Sequence, residues 1–270
     1  MVHTFRFHQG AIEHFAEDES LAGAQARLPQ GAYTTLRTYG GRGVVRLGQH
    51  VARLNETLAL LGGVRAAAAA AEARALLRHA LEATAYAESR VRLTWAPPAL
   101  FATPEPFTPL PEALYRDGAA CVSLPVRREN PHAKDTRFVA TAQAAYRALP
   151  AGVHEGLLVA EDGAILEGLS SNFFAVVDGR LHTEDERVLF GVTRSIVLEV
   201  AAALLPVELR AATRAALPRA TDAFITSVSR GILPVVRIDS RPIGTGRPGD
   251  VTLRLRHSFA ELEAREVEQL

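Results

Sequence analysis

The 270-residue sequence predicts a mixed α/β fold with α+β character, in two domains spanning about 1–115 and 116–270. Three stretches carry that expectation. EGLLVAEDGAILEGLSSNFFAVVDGRLHT, residues 155–183, sets two Asp-Gly pairs between apolar segments, which signals tight hairpins and antiparallel pairing. The alanine-rich stretch Val64–Glu88 has no interior proline, and its arginines and glutamates recur at helical intervals. Residues 98–116 hold five prolines and read as a linker between the domains. Long antiparallel pairs with helices laid on them argue against a doubly wound parallel sheet.

The remaining elements follow in order. Residues 31–62 read as strand, Gly-Gly turn, strand, then a helix from about His50 to Leu61 with Val51, Leu54, Leu58 and Leu61 as its apolar stripe. RVRLTWAP, residues 90–97, alternates like a strand that Pro97 and Pro98 end. CVSLPV (121–126) is a strand, and a helix runs from about Asp135 to Ala148. A helix over Thr193–Leu205 is stopped by Pro206, DAFITSV and ILPVVRID are strands, and Phe259–Gln269 is a charged C-terminal helix.

Composition excludes several classes. Thirty basic and 30 acidic residues cancel, with no basic block, so an unspecific nucleic-acid binder is not expected. Cys121 stands alone, which excludes an intramolecular disulfide and a cysteine-rich metal cluster and fits a cytoplasmic protein. No apolar run approaches about 18 residues, and residues 1–20 carry acids and histidines where a secretory signal needs an apolar core. There is no G-x-S-x-G, Walker A or H-E-x-x-H pattern, and the glycines of TYGGRGVV lead into a strand rather than a helix. His3, His8 and His14 lack the spacing of a metal motif and read as surface histidines, so no metal is expected.

One residue breaks the composition. Lys134, in PHAKDTRF, is the sole lysine beside 29 arginines. Arginine matches lysine as a surface charge, but only the lysine amine can lose its proton and act as a nucleophile. A Schiff-base lysine needs a carbonyl partner. If that partner is a phosphorylated pyridine aldehyde, the phosphate requires backbone N–H groups at a helix start plus a cation. The ring nitrogen then requires an acid. Gly191 and Thr193, before an apolar-periodic run, fit either a phosphate nest or a plain helix cap. Glu167, at a strand end, fits either the ring acid or a turn residue, and Arg53 either a phosphate cation or a solvent-facing helix arginine.

In their order, these blocks resemble the class IV (fold-type IV) PLP-dependent aminotransferases. That group includes the branched-chain and D-amino acid aminotransferases and the aminodeoxychorismate lyases. The likeness runs from about Gly31 to Val236. It implies two α/β domains with pyridoxal 5'-phosphate in the cleft between them, and a homodimer. It also implies roles: Lys134 as the Schiff-base residue, Glu167 at the pyridine nitrogen, and Arg53, Val192 and Thr193 at the phosphate. Ser227 or Ser229 closes the phosphate and carboxylate side, Tyr33 faces the substrate, and Arg90 or Arg92 meets a substrate carboxylate. Two departures bear on substrate. Phe138 and Val139 stand where many relatives have a tyrosine or asparagine, and RGILPV puts Arg230 at the pocket, which favours an acidic or aromatic acid substrate. The implied activity is transfer of an amino group from an amino acid to a 2-keto acid. A 4-amino-4-deoxychorismate lyase, which uses the same lysine, is the rival.

Overall fold

The computed structural model describes residues 1–62 and 67–270, so the helix start expected at Val64 lies outside the described residues. The chain forms two compact units. One contains Met1–Thr108, Ala133–Val139 and Glu266–Leu270, and the other Pro109–His132 and Ala140–Arg265. The lysine segment, which a cut at 115/116 would assign to the C-terminal half, thus clusters with the N-terminal unit.

The first unit begins with β1 (Val2–His8), β2 (Ala11–Asp18), α1 (Leu21–Arg27), β3 (Ala32–Arg37) and β4 (Gly43–Val45). It continues with α2 (Leu47–Leu60), α3 (Ala70–Thr84), β5 (Ser89–Ala96) and β6 (Ala99–Pro106). Five strands form an antiparallel sheet in the order β2-β1-β6-β5-β3. Alternation along β5 sends Val91, Leu93 and Trp95 to one face, where they cluster with Leu54 and Leu58 of α2 and Leu76 and Leu77 of α3. Burying each such side chain contributes about 1.5–3 kcal/mol.

The proline-rich stretch is therefore a strand over much of its length, not a linker. β6 pairs with β5 through Pro106, while β1 covers only Leu100–Ala102. Pro104 and Pro106 sit beyond β1, where one strand edge needs no N–H donor, and that is where a sheet tolerates proline.

The second unit holds α4 (Glu112–Asp117), β7 (Ala119–Leu124), most of α5 (Arg137–Arg147), β8 (Glu155–Val159), β9 (Ile165–Gly168) and β10 (Asn172–Val177). Then come β11 (Arg180–His182), α6 (Val192–Ala202), β12 (Val207–Glu208), β13 (Ala220–Ser227), β14 (Gly231–Ile238), β15 (Arg241–Pro242) and α7 (Asp250–Arg265). Both Asp-Gly hairpins form: β8 with β9, and β10 with β11 through Asp178 and Gly179, which both take positive φ. The sheet runs β12-β11-β10-β13-β14-β7-β8-β9 and closes on itself, because β9 also pairs with β10 through Glu167 and Asn172. Strands β7 to β10, β13 and β14 thus make a barrel, and Glu167 sits at its closing pair.

The C-terminal helix starts earlier than expected, at Asp250, and ends at Arg265. Val267–Gln269 is instead strand β16, paired with β4 of the first unit. A tertiary contact explains the change: α2 has no side-chain cap of its own, and Glu268 on β16 accepts from Leu47 N at 2.9 Å. Among the described residues no helix is long and apolar enough to cross a membrane.

Candidate active site

Lys134 is held by its backbone. Its N–H donates to Thr57 Oγ1 on α2 (3.1 Å), and its carbonyl accepts from Tyr33 N on β3 (2.9 Å). Ala32 bridges to Asp135, and Gly31 and Thr136 exchange two further bonds. Gly31 is needed there, because a Cβ would stand 2.3 Å from the Trp95 carbonyl oxygen. The amine that results lies over the Tyr33 ring, with Nζ 4.7 Å from its centroid, and the Arg92 guanidinium is 5.0 Å from the same ring.

That geometry separates the two arginine candidates. Arg90 forms an ion pair with Glu105, its cross-strand partner on β6. Arg92 has only a 3.5 Å contact to the neutral Gln25 amide and a buried Nε without a hydrogen-bond partner among the described residues. Burial pulls its pKa below the usual arginine value, and the nearby Tyr33 partly offsets that shift. Of the two, Arg92 is the one without a carboxylate partner among the described residues and at the Tyr33 ring that Lys134 also contacts.

Beneath the lysine, α2 presents His50 and Arg53, three residues apart and so on one helix face. Both are buried. The Thr34 hydroxyl connects them, 2.6 Å from His50 Nδ1 and 2.6 Å from Arg53 Nη2. Arg53 can only donate, so the hydroxyl accepts from Arg53, and its own proton is left to donate to the Nδ1 of an imidazole protonated on Nε2. Burial foremost, then the charges of Arg53 and Lys134, hold the His50 pKa well below 6.5. The unfolded chain therefore takes up a proton near pH 6.5 that the folded chain refuses, and stability falls as pH drops below that value by up to about 1.4 kcal/mol per unit. His50→Gln should flatten the dependence of urea-unfolding stability on pH between about 7 and 5. An unchanged slope would place the acid sensitivity elsewhere.

In the second unit the barrel closure places Glu167. Its Oε2 accepts from Leu189 N (3.2 Å) and its Oε1 lies 2.9 Å from Arg128 Nε, with both side chains nearly buried. Asn172, opposite Glu167, donates to the Leu189 carbonyl at 2.8 Å. The two contacts pin the loop that leads into α6. Gly191 caps that helix without a side-chain bond, the first turn carries no acid, and Val192 and Thr193 are buried. A Cβ at Gly191 would stand 2.3 Å from Asn172 Oδ1, so the close approach requires glycine.

Thr226 faces Asn172 across β13 and β10, and its buried hydroxyl has no hydrogen-bond partner among the described residues. Ser227 ends β13 and Ser229 lies in the following turn, both half-buried. A helix start without a side-chain cap, carrying a threonine, and an unsatisfied buried hydroxyl nearby fit an anionic group such as a phosphate. Phe138 and Val139 fall in the first turn of α5.

Arg230 does not serve as expected. It turns inward, with Nη1 2.6 Å from Glu155 Oε2 and Nη2 3.2 Å from the Tyr146 hydroxyl. Glu155 is 0% exposed and Arg230 18%, so the buried carboxylate takes the guanidinium that the sequence assigned to substrate. Burial pulls the Arg230 pKa down, but Glu155 and Tyr146 outweigh it and hold the group above the usual arginine value. Tyr146 and Ser171 also donate to Glu155, at 2.6 and 2.9 Å. Arg230→Met, which strands that carboxylate, should cost about 3–5 kcal/mol in urea unfolding. A loss below about 1 kcal/mol would show that the pair contributes no more than a surface bridge.

Sequence reasoning missed His50, Thr34 and Arg128. The spacing of His50 and Arg53 could have exposed the first. Nothing in RREN distinguishes Arg128 from Arg127, which is exposed and pairs with Glu161.

A barrel with a nearly buried acid at its closing strand pair, and in the other unit a sole lysine held by its backbone, suit a protein of the cofactor-binding class. Comparison with known proteins identifies which. The family model for amino-transferase class IV matches residues 31–238. The chain is 31% identical over 165 residues to a Methanocaldococcus jannaschii protein, covering 58% of this chain and 57% of that one. It is 32% identical over 128 residues to the branched-chain-amino-acid aminotransferase of Pseudomonas aeruginosa, covering 46% and 41%. These alignments thus span under two thirds of either relative. A branched-chain amino acid aminotransferase from T.th., solved with pyridoxamine 5'-phosphate, superposes with a TM-score of 0.80 at 25% identity over 98% of both chains. The chain belongs to the class IV aminotransferases.

Proposed function

We propose that this chain is a pyridoxal 5'-phosphate-dependent aminotransferase that moves the amino group of an amino acid, branched-chain-like in class, to a 2-keto acid. The observation that carries the reading is Lys134, the sole lysine, locked by its backbone to β3 and α2 with its amine at the Tyr33 ring, which Arg92 also contacts. The cofactor, when bound, supplies a ring that accepts the electron pair released at the substrate α-carbon. Lys134 Nζ would supply the amine that holds the cofactor and the general base for the substrate α-proton. Glu167 would keep the ring nitrogen protonated through a charge-assisted hydrogen bond.

By the family likeness, Arg53 and the residues Val192 and Thr193 would be the ones to hold the phosphate. Ser227 or Ser229 closes that side. His50, being neutral, can accept a hydrogen bond from the Thr34 hydroxyl and so leave the hydroxyl's lone pairs towards Arg53. Tyr33 walls the substrate, and Arg92 binds a substrate carboxylate. Homodimeric assembly is part of this proposal and rests on the family likeness; a cytoplasmic location rests on composition.

The test is a two-step spectral cycle. An amino donor alone should bleach the visible cofactor band, and 2-oxoglutarate should then restore it. If a wide donor panel leaves the band unchanged while aminodeoxychorismate yields pyruvate without any keto acid, the lyase reading replaces this one.

A further inference from the structure

The N-terminal hairpin carries a side-chain cluster that amino transfer does not use. His3 and Glu17 are cross-strand partners on β1 and β2, and His14 sits opposite Phe5, two residues on from His3. The register shifts between Thr4 and Phe5, which pair with Ala16 and His14, so Phe15 is an extra residue. Without that bulge Phe15 would oppose Phe5, and His14 would point to the other face of the sheet. The bulge puts His14 on the face of His3 and Glu17.

The resulting distances are those of a coordination site. His3 Nδ1 lies 3.4 Å from both His14 Nε2 and Glu17 Oε1, and His14 Nε2 is 3.7 Å from Glu17 Oε1. Three lone-pair donors so spaced surround a point about 2.0 Å from each, the length of a zinc bond to imidazole nitrogen or carboxylate oxygen. The edge of a tetrahedron with such bonds is about 3.3 Å. Phe5, buried in the core, holds the His14 ring edge-on at 5.6 Å, which limits its rotation.

We propose that His3, His14 and Glu17 bind a divalent transition-metal ion of the zinc class. Two imidazoles and one carboxylate suit zinc, cobalt or nickel better than magnesium or calcium, which prefer oxygen ligands. The side chains are 35%, 46% and 45% exposed, so water completes the coordination. The ion ties β1 to β2 at the edge of the five-stranded sheet. The spacing of these residues hides the site in the sequence, because the bulge, not a motif, assembles it.

The experiment uses tag-free, cofactor-loaded protein, stripped with EDTA and titrated with zinc chloride in a calorimeter. One ion per chain should bind saturably. His14→Ala should weaken that binding at least about tenfold, and His8→Ala should leave it unchanged. Glu17→Gln, which preserves side-chain shape, repeats the test should His14→Ala disturb the hairpin. Cobalt(II) should give a visible ligand-field spectrum with wild type and not with either ligand variant. The absence of saturable zinc binding to wild type, or equal affinity in wild type, His14→Ala and Glu17→Gln, would overturn the assignment.

Discussion

Lys134→Arg should lower turnover at least about 10⁴-fold while leaving the fold intact. The loss follows from chemistry: a guanidinium keeps its proton near neutral pH and supplies neither a nucleophilic amine nor a general base. The fold should survive because residue 134 is anchored by main-chain atoms, its N–H on Thr57 and its carbonyl on Tyr33 N, and arginine can make both contacts. Steady-state rates with an amino donor and a keto acid, paired with urea unfolding, separate the two effects. Turnover within tenfold of wild type would remove Lys134 from the chemistry. Loss of both turnover and folding would show that the side chain, not the backbone, holds the segment.

Glu167→Gln should slow exchange of the substrate α-proton in deuterated water by about 10²–10³-fold, because glutamine offers no anion to hold the ring nitrogen protonated. The Arg128 contact complicates the reading. Removing the carboxylate's charge also weakens its nearly buried ion pair with Arg128, which lowers stability. Arg128→Met is therefore the proper companion. It should keep most of the exchange rate, since Glu167 remains, while Glu167→Asp should recover part of what glutamine loses. An exchange rate for Glu167→Gln within about twofold of wild type, at full cofactor loading, would mean another acid serves the ring.

The helices α2, α3, α5 and α6 and both Asp-Gly hairpins were legible because periodicity and turn chemistry are local. What failed was set by distant partners. β6 reads as a linker until one sees that Pro104 and Pro106 fall past the reach of β1. The helical pattern of the last residues gives way at Val267 because β4 offers an edge and the start of α2 needs an acceptor. Alternation in β1 and β2 is broken by the bulge, so the N-terminal hairpin gave no clear signal.

The site divides the same way. Lys134 is conspicuous by composition, and Arg53, Glu167 and Thr193 lie in recognisable blocks. Arg230 sits in such a block too, yet the fully buried Glu155 takes it, a demand that no local pattern reveals. Arg128 reaches Glu167 only through the fold, and the barrel closure that aims Glu167 is a pairing between strands rather than a motif.

The most direct test of the account is to reduce cofactor-loaded protein with borohydride, digest it and map the pyridoxyl mark by mass spectrometry. Lys134 is the only lysine, so the chain's other aliphatic amine is its N-terminus. The account predicts one mark per chain, on the peptide that contains Lys134, and none on Lys134→Arg. A mark confined to the N-terminal peptide, or no mark on protein that carries the cofactor and turns over, would contradict it.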